Sequence, residues 1–365
     1  MNILIAGGGS AGHINPALSI AKKIRNNHPE YKILFIGSER GLEKDLVPRE
    51  GFDIEFIEIE GFRRPFGLKS IKTLFVLIKG LFQARKIIKR FKPDIAIGTG
   101  GFVAGPAIYI SSLYKAKILI HEQNAYPGIT NKMLARRADV AMASFQSALK
   151  SLSKAKKTVL TGNLIDESFS RFAKYQPSEG IKTVVIIGGS QGAMTVNNAV
   201  TGMINEYMKE TDFKLIFAPG KRHYEEVIGK ITKTLKNVTV RDYIYDRDTV
   251  YASADLMVTR GGATTISEVL AMGMPSIIIP SPFVPDNAQE KNAEQIFNRD
   301  ACEIIYDNGE FNSKVLYDKI MNLLGNNDKL IALSENAYSL GIRDANQRVY
   351  EEFSEVVNEI NRSGK

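Results

Sequence analysis

The chain is 365 residues long, 44% hydrophobic and 24% charged, which leaves room for two domains with sizeable cores and is the ordinary mix of a soluble globular enzyme. One cysteine, Cys302, excludes an internal disulfide framework and fits a reducing compartment. A net charge of +8 and a pI near 9.2 leave nucleic acid, anionic lipid and phosphorylated ligands open as partners, and the placement of the charge has to choose among them.

The chain opens on Ile3-Leu4-Ile5, a short apolar run that reads as a buried strand. A glycine cluster (Gly7, Gly8, Gly9, Gly12) breaks it, and a helical pattern follows, with His13 where the loop feeds the helix. Gly7, Gly9 and Gly12 satisfy the G-x-G-x-x-G spelling of a dinucleotide site, a weak match on its own. The apolar start is only a strand long and lacks a basic leader, so no signal peptide is expected. Further strands are expected at 32–36, 53–59, 94–97, 118–121, 140–143 and 159–161, then at 183–187, 214–218, 238–243, 256–259, 276–279 and 301–305, with helical stretches between them. Apolar, β-branched strands alternating with helices mean parallel sheets covered on both faces.

The second half restarts the first. Ile3-Leu-Ile-Ala-Gly-Gly-Gly-Ser10 is echoed by Val184-Val-Ile-Ile-Gly-Gly-Ser190-Gln-Gly192, and the polar stretch 166–180 between the halves reads as a linker. The expected fold class is therefore α/β: two Rossmann-like, doubly wound parallel-sheet domains facing each other across a cleft. Residues 340–365 read as closing helices.

One stretch breaks this rhythm. Between Phe62 and Lys92 stand ten basic residues (Arg63, Arg64, Lys69, Lys72, Lys79, Arg85, Lys86, Lys89, Arg90, Lys92) and no acidic one. Interleaved Ile71, Phe75, Ile78 and Phe82 give an apolar arc wider than one core-facing stripe needs. The uncharged run 73–78 is far short of the roughly 20 residues that span a bilayer. Two readings stay open: a basic amphipathic helix for an anionic membrane surface, or a core helix with a solvated basic face. Phe82 and Phe91 are too few aromatics for a nucleic-acid platform, so no nucleic acid is expected.

A dinucleotide site needs an acid ending the second strand, but that strand runs into Gly37-Ser38, and the second loop, Gly188-Gly-Ser-Gln-Gly-Ala193, lacks the spelling altogether. Other strand-end loops share a theme: Gly98-Thr-Gly-Gly101-Phe-Val-Ala-Gly105-Pro, His121-Glu-Gln-Asn124 and Gly261-Gly-Ala-Thr-Thr265-Ile-Ser-Glu268. In parallel sheets such loops gather at the carboxyl ends of the strands, and glycine-rich amides beside Ser and Thr suit phosphate oxygens. His13 and His121, with Glu122 beside the latter, make a candidate general base with a partner. Asp246-Arg-Asp248 spells a D-x-D metal motif, yet it opens a helix, where acids simply favour the N-terminus. Glu268 either accepts hydrogen bonds from ribose hydroxyls or is a favourable charge near a helix start.

Gly8-Gly-Ser-Ala-Gly-His13-Ile-Asn-Pro16, Gly98-Thr-Gly-Gly-Phe102-Val-Ala-Gly-Pro106, His121-Glu-Gln-Asn124 with Pro127-Gly-Ile-Thr-Asn131, Gly188-Gly-Ser-Gln-Gly-Ala193 and Arg260 to Glu268 together resemble the MurG family, bacterial UDP-N-acetylglucosamine:lipid I N-acetylglucosaminyltransferases of peptidoglycan synthesis. The resemblance covers nearly the whole chain in order. It implies a GT-B fold with 1–163 as the acceptor- and membrane-binding domain, 164–341 as the UDP-GlcNAc-binding domain, and 342–365 as a helix returning to the first. It implies that Ser190 and Gln191 meet the donor diphosphate, the backbone of Ile244 reads the uracil, Ala263, Thr264 and Thr265 hold a phosphate, Glu268 binds the ribose and Gln289 the GlcNAc. On the acceptor side it implies Ser10, Ala11, Gly12, Gly100, Gly101, His121 and Asn124, with His13 as base, supported by Glu122.

The resemblance further implies membrane association through Ile71, Lys72, Phe75, Ile78, Lys79 and Phe82, and a peripheral place on the cytoplasmic face of the bacterial membrane. Its partners would be UDP-GlcNAc, undecaprenyl-linked lipid I, an anionic membrane and proteins of cell-wall synthesis, with no metal and no obligatory cofactor. Three places depart from the family pattern: the usual G-N-P followed shortly by an arginine is here Gly162-Asn-Leu-Ile-Asp166, Ala288 stands before Gln289 where a Gln or His is usual, and Phe102 replaces a common tyrosine. Rival readings are another membrane-associated GT-B transferase acting on a glycolipid, a UDP-GlcNAc 2-epimerase, and a non-catalytic anion- or membrane-binding scaffold.

Overall fold

The computed structural model describes residues 1–61, 68–171, 175–188 and 193–364, with the side chains of 68–72 left aside. Ser190 and Gln191, and the side chains of Ile71 and Lys72, lie outside the described residues. The chain forms two units: 1–165 with 344–365, and 166–343.

In the first unit the order is β1 (Asn2–Gly7), α1 (Ala11–Asn27), β2 (Lys32–Gly37), α2 (Glu43–Arg49), β3 (Asp53–Phe56), α3 (Leu68–Phe91), β4 (Ile95–Gly100), α4 (Ala104–Leu113), β5 (Lys117–Glu122), α5 (Ile129–Leu134), β6 (Val140–Ala143), α6 (Gln146–Leu152) and β7 (Lys157–Leu160). The seven strands lie in the order β3-β2-β1-β4-β5-β6-β7, and every pair is parallel. The second unit runs β8 (Thr183–Ile187), α7 (Met194–Gly202), β9 (Lys214–Ala218), α8 (Tyr224–Lys230), β10 (Val238–Val240), α9 (Arg247–Ala252), β11 (Leu256–Thr259), α10 (Ala263–Met272), β12 (Ser276–Ile278), α11 (Ala288–Phe297), β13 (Glu303–Ile304), α12 (Ser313–Leu324) and α13 (Asn327–Leu340). Its six strands, β10-β9-β8-β11-β12-β13, are parallel too.

Strand alternation sends Leu4 and Ala6 into one core and Ile3 and Ile5 into the other, so the first sheet is buried on both faces. The last helix, α14 (Ala345–Arg362), lays Val349, Phe353, Val356, Val357 and Ile360 against that second core beside Ile14 and Leu18 of α1. Their spacing of three and four residues is one apolar helix face.

Three expected strands were drawn too long: 53–59 ends at Phe56, 238–243 at Val240, and 301–305 shrinks to Glu303–Ile304. All three are sheet edges, where a single ladder of hydrogen bonds holds the backbone and pairing stops early. The topology also decides where ligands go. The chain reverses its winding between β1 and β4 in the first sheet and between β8 and β11 in the second. The loops after those strands are the glycine-rich ones, and such switch points are where open α/β sheets bind ligands.

Candidate functional site

In the first unit the loops after β1 and β4 are locked together. Gly101 adopts φ +81°, and a side chain there would sit 2.3 Å from the Gly8 carbonyl. A Cβ on Gly100 would lie 2.9 Å from His13 Nδ1, so this close approach of backbone to ring excludes any larger residue. Thr99 Oγ donates to the His13 carbonyl at 2.8 Å and ties the first turn of α1 to the end of β4. Glu43, which sequence reasoning passed over, is buried under the first loop, its carboxylate accepting from the Gly9 amide (2.9 Å), the Ser38 amide (3.0 Å) and the Ser38 hydroxyl (2.8 Å). One loop amide is thus spent on structure. Helix α1 itself has neither a side-chain cap at Ser10 nor an acid in its first turn, which leaves the amides at Ala11 and Gly12 suited to an anion.

His13 is half-buried, and its Nδ1 lies 3.1 Å from the Thr99 carbonyl and 3.1 Å from Gln123 Oε1. The neighbour that reaches it is therefore Gln123, not Glu122. Glu122 is buried and accepts from the Asn124 amide (2.9 Å), Asn124 Nδ2 (3.1 Å), the Gly128 amide (3.2 Å) and Asn131 Nδ2 (2.9 Å). It organises the 124–131 loop, and the reading of it as the partner of His13 is corrected accordingly. Alternation at the end of β5 is the reason, since it turns His121 and Glu122 to opposite sides, and Gln123, just past the strand, folds its amide onto the His121 ring. His121 has no exposed surface, so it cannot touch an acceptor; burial drives its pKa down to about 4 and leaves the ring neutral, with Nε2 2.9 Å from the Gly162 carbonyl.

In the second unit Gly188 follows β8, and a Cβ there would lie 3.2 Å from both the Ala193 amide and Asn197 Oδ1. Helix α10 starts at Ala263 with Gly262 at its cap and no side-chain cap, so the first turn holding Thr264 and Thr265 offers uncapped amides. Gln289 Oε1 accepts from the Gly261 amide (3.2 Å) and the Ser281 amide (2.9 Å), leaving its NH2 group as the end available to a ligand. Just before it, Asp286 and Asn287 both take positive φ (55° and 52°), a strained turn of the kind that collects at functional loops. Ile244 is buried by its side chain, which pins the backbone beside it; Tyr243 and Tyr245 flank it with ring centroids 4.9 Å apart.

Glu268 is 1% exposed, its Oε1 accepts from Arg247 Nη1 at 2.7 Å, and its Oε2 is buried without a hydrogen bond. Burial pushes its pKa up to about 7, with Arg247 pulling it down and Asp166 adding to the rise. Arg247 is the second functional candidate that sequence reasoning missed. Asp166, at the departure from the family pattern, accepts from the Ser168 amide at 2.9 Å, and that bond holds its pKa below the ordinary value. Of the D-x-D pair, Asp246 is bonded to Arg241 at 3.2 Å and Asp248 to the Thr249 amide at 2.9 Å. Among the described residues no group of three or more His, Cys, Asp or Glu is placed to hold a metal ion.

Helix α3 divides its apolar residues. Ala84, Ile87 and Ile88 enter the core, whereas Phe75 (69% exposed), Phe82 (66%), Leu74 and Ile78 face solvent. Lys79 is paired with Glu58, and Arg85 donates to the Tyr114 hydroxyl at 3.1 Å. No helix among the described residues is long and apolar enough to cross a membrane.

Two family models match the chain, the glycosyltransferase family 28 N-terminal domain over 3–143 and its C-terminal domain over 183–349. A protein of Acetivibrio thermocellus named UDP-N-acetylglucosamine--N-acetylmuramyl-(pentapeptide) pyrophosphoryl-undecaprenol N-acetylglucosamine transferase is 42% identical over 98% of each chain. One of the same name from Ruminiclostridium cellulolyticum is 41% identical over 98% of this chain and all of its own. Among solved structures, Acinetobacter baumannii MurG superposes with a TM-score of 0.80 at 25% identity, covering 97% of this chain and 99% of that one, which makes the architecture GT-B. Both halves of the chain and its near-full-length relatives agree, and the protein belongs to glycosyltransferase family 28, in its MurG branch.

Proposed function

We propose that the chain is an inverting transferase that moves GlcNAc from UDP-GlcNAc to the MurNAc 4-hydroxyl of lipid I, forming lipid II for peptidoglycan. The observation that carries this reading is its near-full-length identity with transferases so named. In this reading residues 1–163 and 342–365 take the acceptor and residues 164–341 the donor. His13 Nε2 removes the proton of the 4-hydroxyl as its oxygen attacks the anomeric carbon, and the bond from that carbon to the UDP oxygen breaks with its electron pair. The uncapped first turn of α10, with Thr264 and Thr265, stabilises charge on the departing diphosphate as preorganised dipoles, joined by Ser190 and Gln191. Ser10, Ala11, Gly12, Gly100 and Gly101 receive the acceptor diphosphate, Glu268 the ribose, and the free NH2 of Gln289 a sugar hydroxyl. UDP-GlcNAc is a substrate, and dipoles and hydroxyls do the charge stabilisation that a metal performs elsewhere.

The test is UDP release with purified lipid I in the presence of EDTA. UDP is expected with UDP-GlcNAc and lipid I together, and from neither alone. Equal release with a diacylglycerol acceptor would move the protein to the rival glycolipid transferases, and no release with lipid I would exclude the transferase reading and leave the epimerase and scaffold readings.

The solvent face of α3 supports peripheral binding to the cytoplasmic, anionic side of the bacterial membrane, where proteins of cell-wall synthesis would also be met. Exposed Phe75 and Phe82 enter the interface while the net basic charge of the 62–92 stretch attracts anionic lipid. The Phe75→Ser/Phe82→Ser double variant is expected to lose about tenfold in affinity for vesicles containing anionic phospholipid, measured by cosedimentation. Unchanged binding would return α3 to the status of a core helix with a solvated face.

A further inference from the structure

We infer that Gln123, itself oriented by His121, is a positioning residue that holds His13 as the Nδ1–H tautomer and so points a bare Nε2 at the acceptor. The inference rests on the reading of His13 as the base and deepens it.

The argument starts from groups whose hydrogen-bonding sense is fixed. Backbone carbonyls only accept, and three of them meet this cluster. Gly162 O lies 2.9 Å from His121 Nε2, so that nitrogen carries a hydrogen. A neutral imidazole has one N–H, so His121 Nδ1 is bare and accepts. The Gln123 amide nitrogen, 3.0 Å from His121 Nδ1 and 3.1 Å from the His121 carbonyl, supplies a hydrogen to each. The two ends of the Gln123 amide are then no longer interchangeable, and Oε1 faces His13 Nδ1 at 3.1 Å. Thr99 O, a carbonyl, faces the same nitrogen at 3.1 Å. Two acceptors on one ring nitrogen place the hydrogen on Nδ1 and leave Nε2 as the lone pair.

The opposite arrangement fails on the same inventory. With Gln123 flipped and both rings in the other tautomer, Gly162 O, His121 O and Thr99 O would each face a lone pair, three repulsive contacts in place of three bonds. Protonating His121 would put a hydrogen on Nδ1 against the Gln123 NH2, and its complete burial opposes that charge. The relay is therefore set in one direction at neutral pH. It also serves the reaction: once Nε2 has taken the proton, the imidazolium donates its Nδ1–H to two carbonyl oxygens already in place.

The test combines a spectroscopic readout with kinetics. In protein labelled with [15N]histidine, long-range 1H–15N correlations report the tautomer of each of the four rings, assigned by single replacements. His13 is expected as Nδ1–H and His121 as Nε2–H. Gln123→Leu, which keeps bulk and removes the acceptor, is expected to lower kcat by roughly tenfold with KM for UDP-GlcNAc unchanged. Gln123→Glu keeps an acceptor opposite His13 Nδ1 and adds a negative charge while losing the donor to His121. Relative to Gln123→Leu it should therefore recover activity at high pH and move the acid limb of kcat upward by about one pH unit, with the His121 ring shifted toward its Nδ1–H form. An Nε2–H tautomer at His13 in the wild-type protein overturns the relay without any variant having to fold. So does a Gln123→Glu profile that superposes on the wild type. If His13→Ala keeps its turnover while the tautomers are as expected, the base reading fails and the relay remains a structural fact.

Discussion

His13→Ala is expected to lower kcat by ~10²–10⁴-fold with lipid I saturating, the usual contribution of a positioned general base. The structure gives three grounds for so large an effect. The ring is half-buried at the first turn of α1, where the Thr99 hydroxyl fixes the backbone at 2.8 Å. Two oxygens hold its Nδ1, so the ring cannot rotate without losing both bonds. Glycine at 100 lets the opposite backbone come within contact of the ring, leaving it a single position. In the proposed reading donor binding is made in the other unit, so UDP-GlcNAc affinity by titration calorimetry should be unchanged in this variant. Turnover within a factor of three of the wild type would remove His13 from the chemistry and leave it as a loop anchor.

The second large effect is expected at Glu268. Glu268→Gln should raise KM and Kd for UDP-GlcNAc by roughly 10–100-fold, because hydrogen bonds to a charged group contribute about 1.5–3 kcal/mol and tenfold costs about 1.4 kcal/mol. Oε1 is already held by Arg247, and in the proposed reading Oε2, buried beneath the surface and without a geometric hydrogen bond in this structure, takes a ribose hydroxyl once the bound donor displaces its cover. The sign of the pH dependence follows from burial. A carboxyl whose pKa is raised to about 7 is neutral in mild acid and becomes charged only as pH rises through 7. Donor affinity should therefore strengthen from pH 6 to pH 8 in the wild-type protein and stay flat over that range in Glu268→Gln. Identical donor affinities for the two proteins at pH 8 would assign Glu268 to helix stability alone. The same raised pKa means that ionising Glu268 costs fold stability: relative to acid, stability is retained below about 4.5 and lost as pH rises through about 7.

What could be read from the residues alone follows from periodicity. Short β-branched runs between helical stretches give parallel strands buried on both faces, and the repeat of strand and glycine loop in mid-chain gives two such sheets. The glycine loops at the switch points of the two sheets were legible for the same reason, since glycines after a strand mark the places where backbone itself must come close to something. The extents of edge strands were not, because one ladder or two is a property of the sheet order and not of the strand.

The fate of individual side chains near the site was decided only in three dimensions. Glu122 has the chemistry of a base's partner and stands one residue from Gln123, yet as the last residue of β5 it turns away from His121 and into the 124–131 loop. Gln123, chemically the duller residue, reaches from just past β5 to His13 in the first turn of α1, 110 residues away in the chain. His121 looked like an acceptor contact and is sealed off, acting through its neighbour. Arg247 and Glu268 are 21 residues apart and met only when α9 and α10 packed. The sequence by itself determined the two sheets and the places of the glycine loops between strand and helix, because those depend on local periods of two and 3.6 residues. Only the tertiary structure decided which polar atoms are paired, buried or left open, because a hydrogen bond between strands distant in the chain has no period to read.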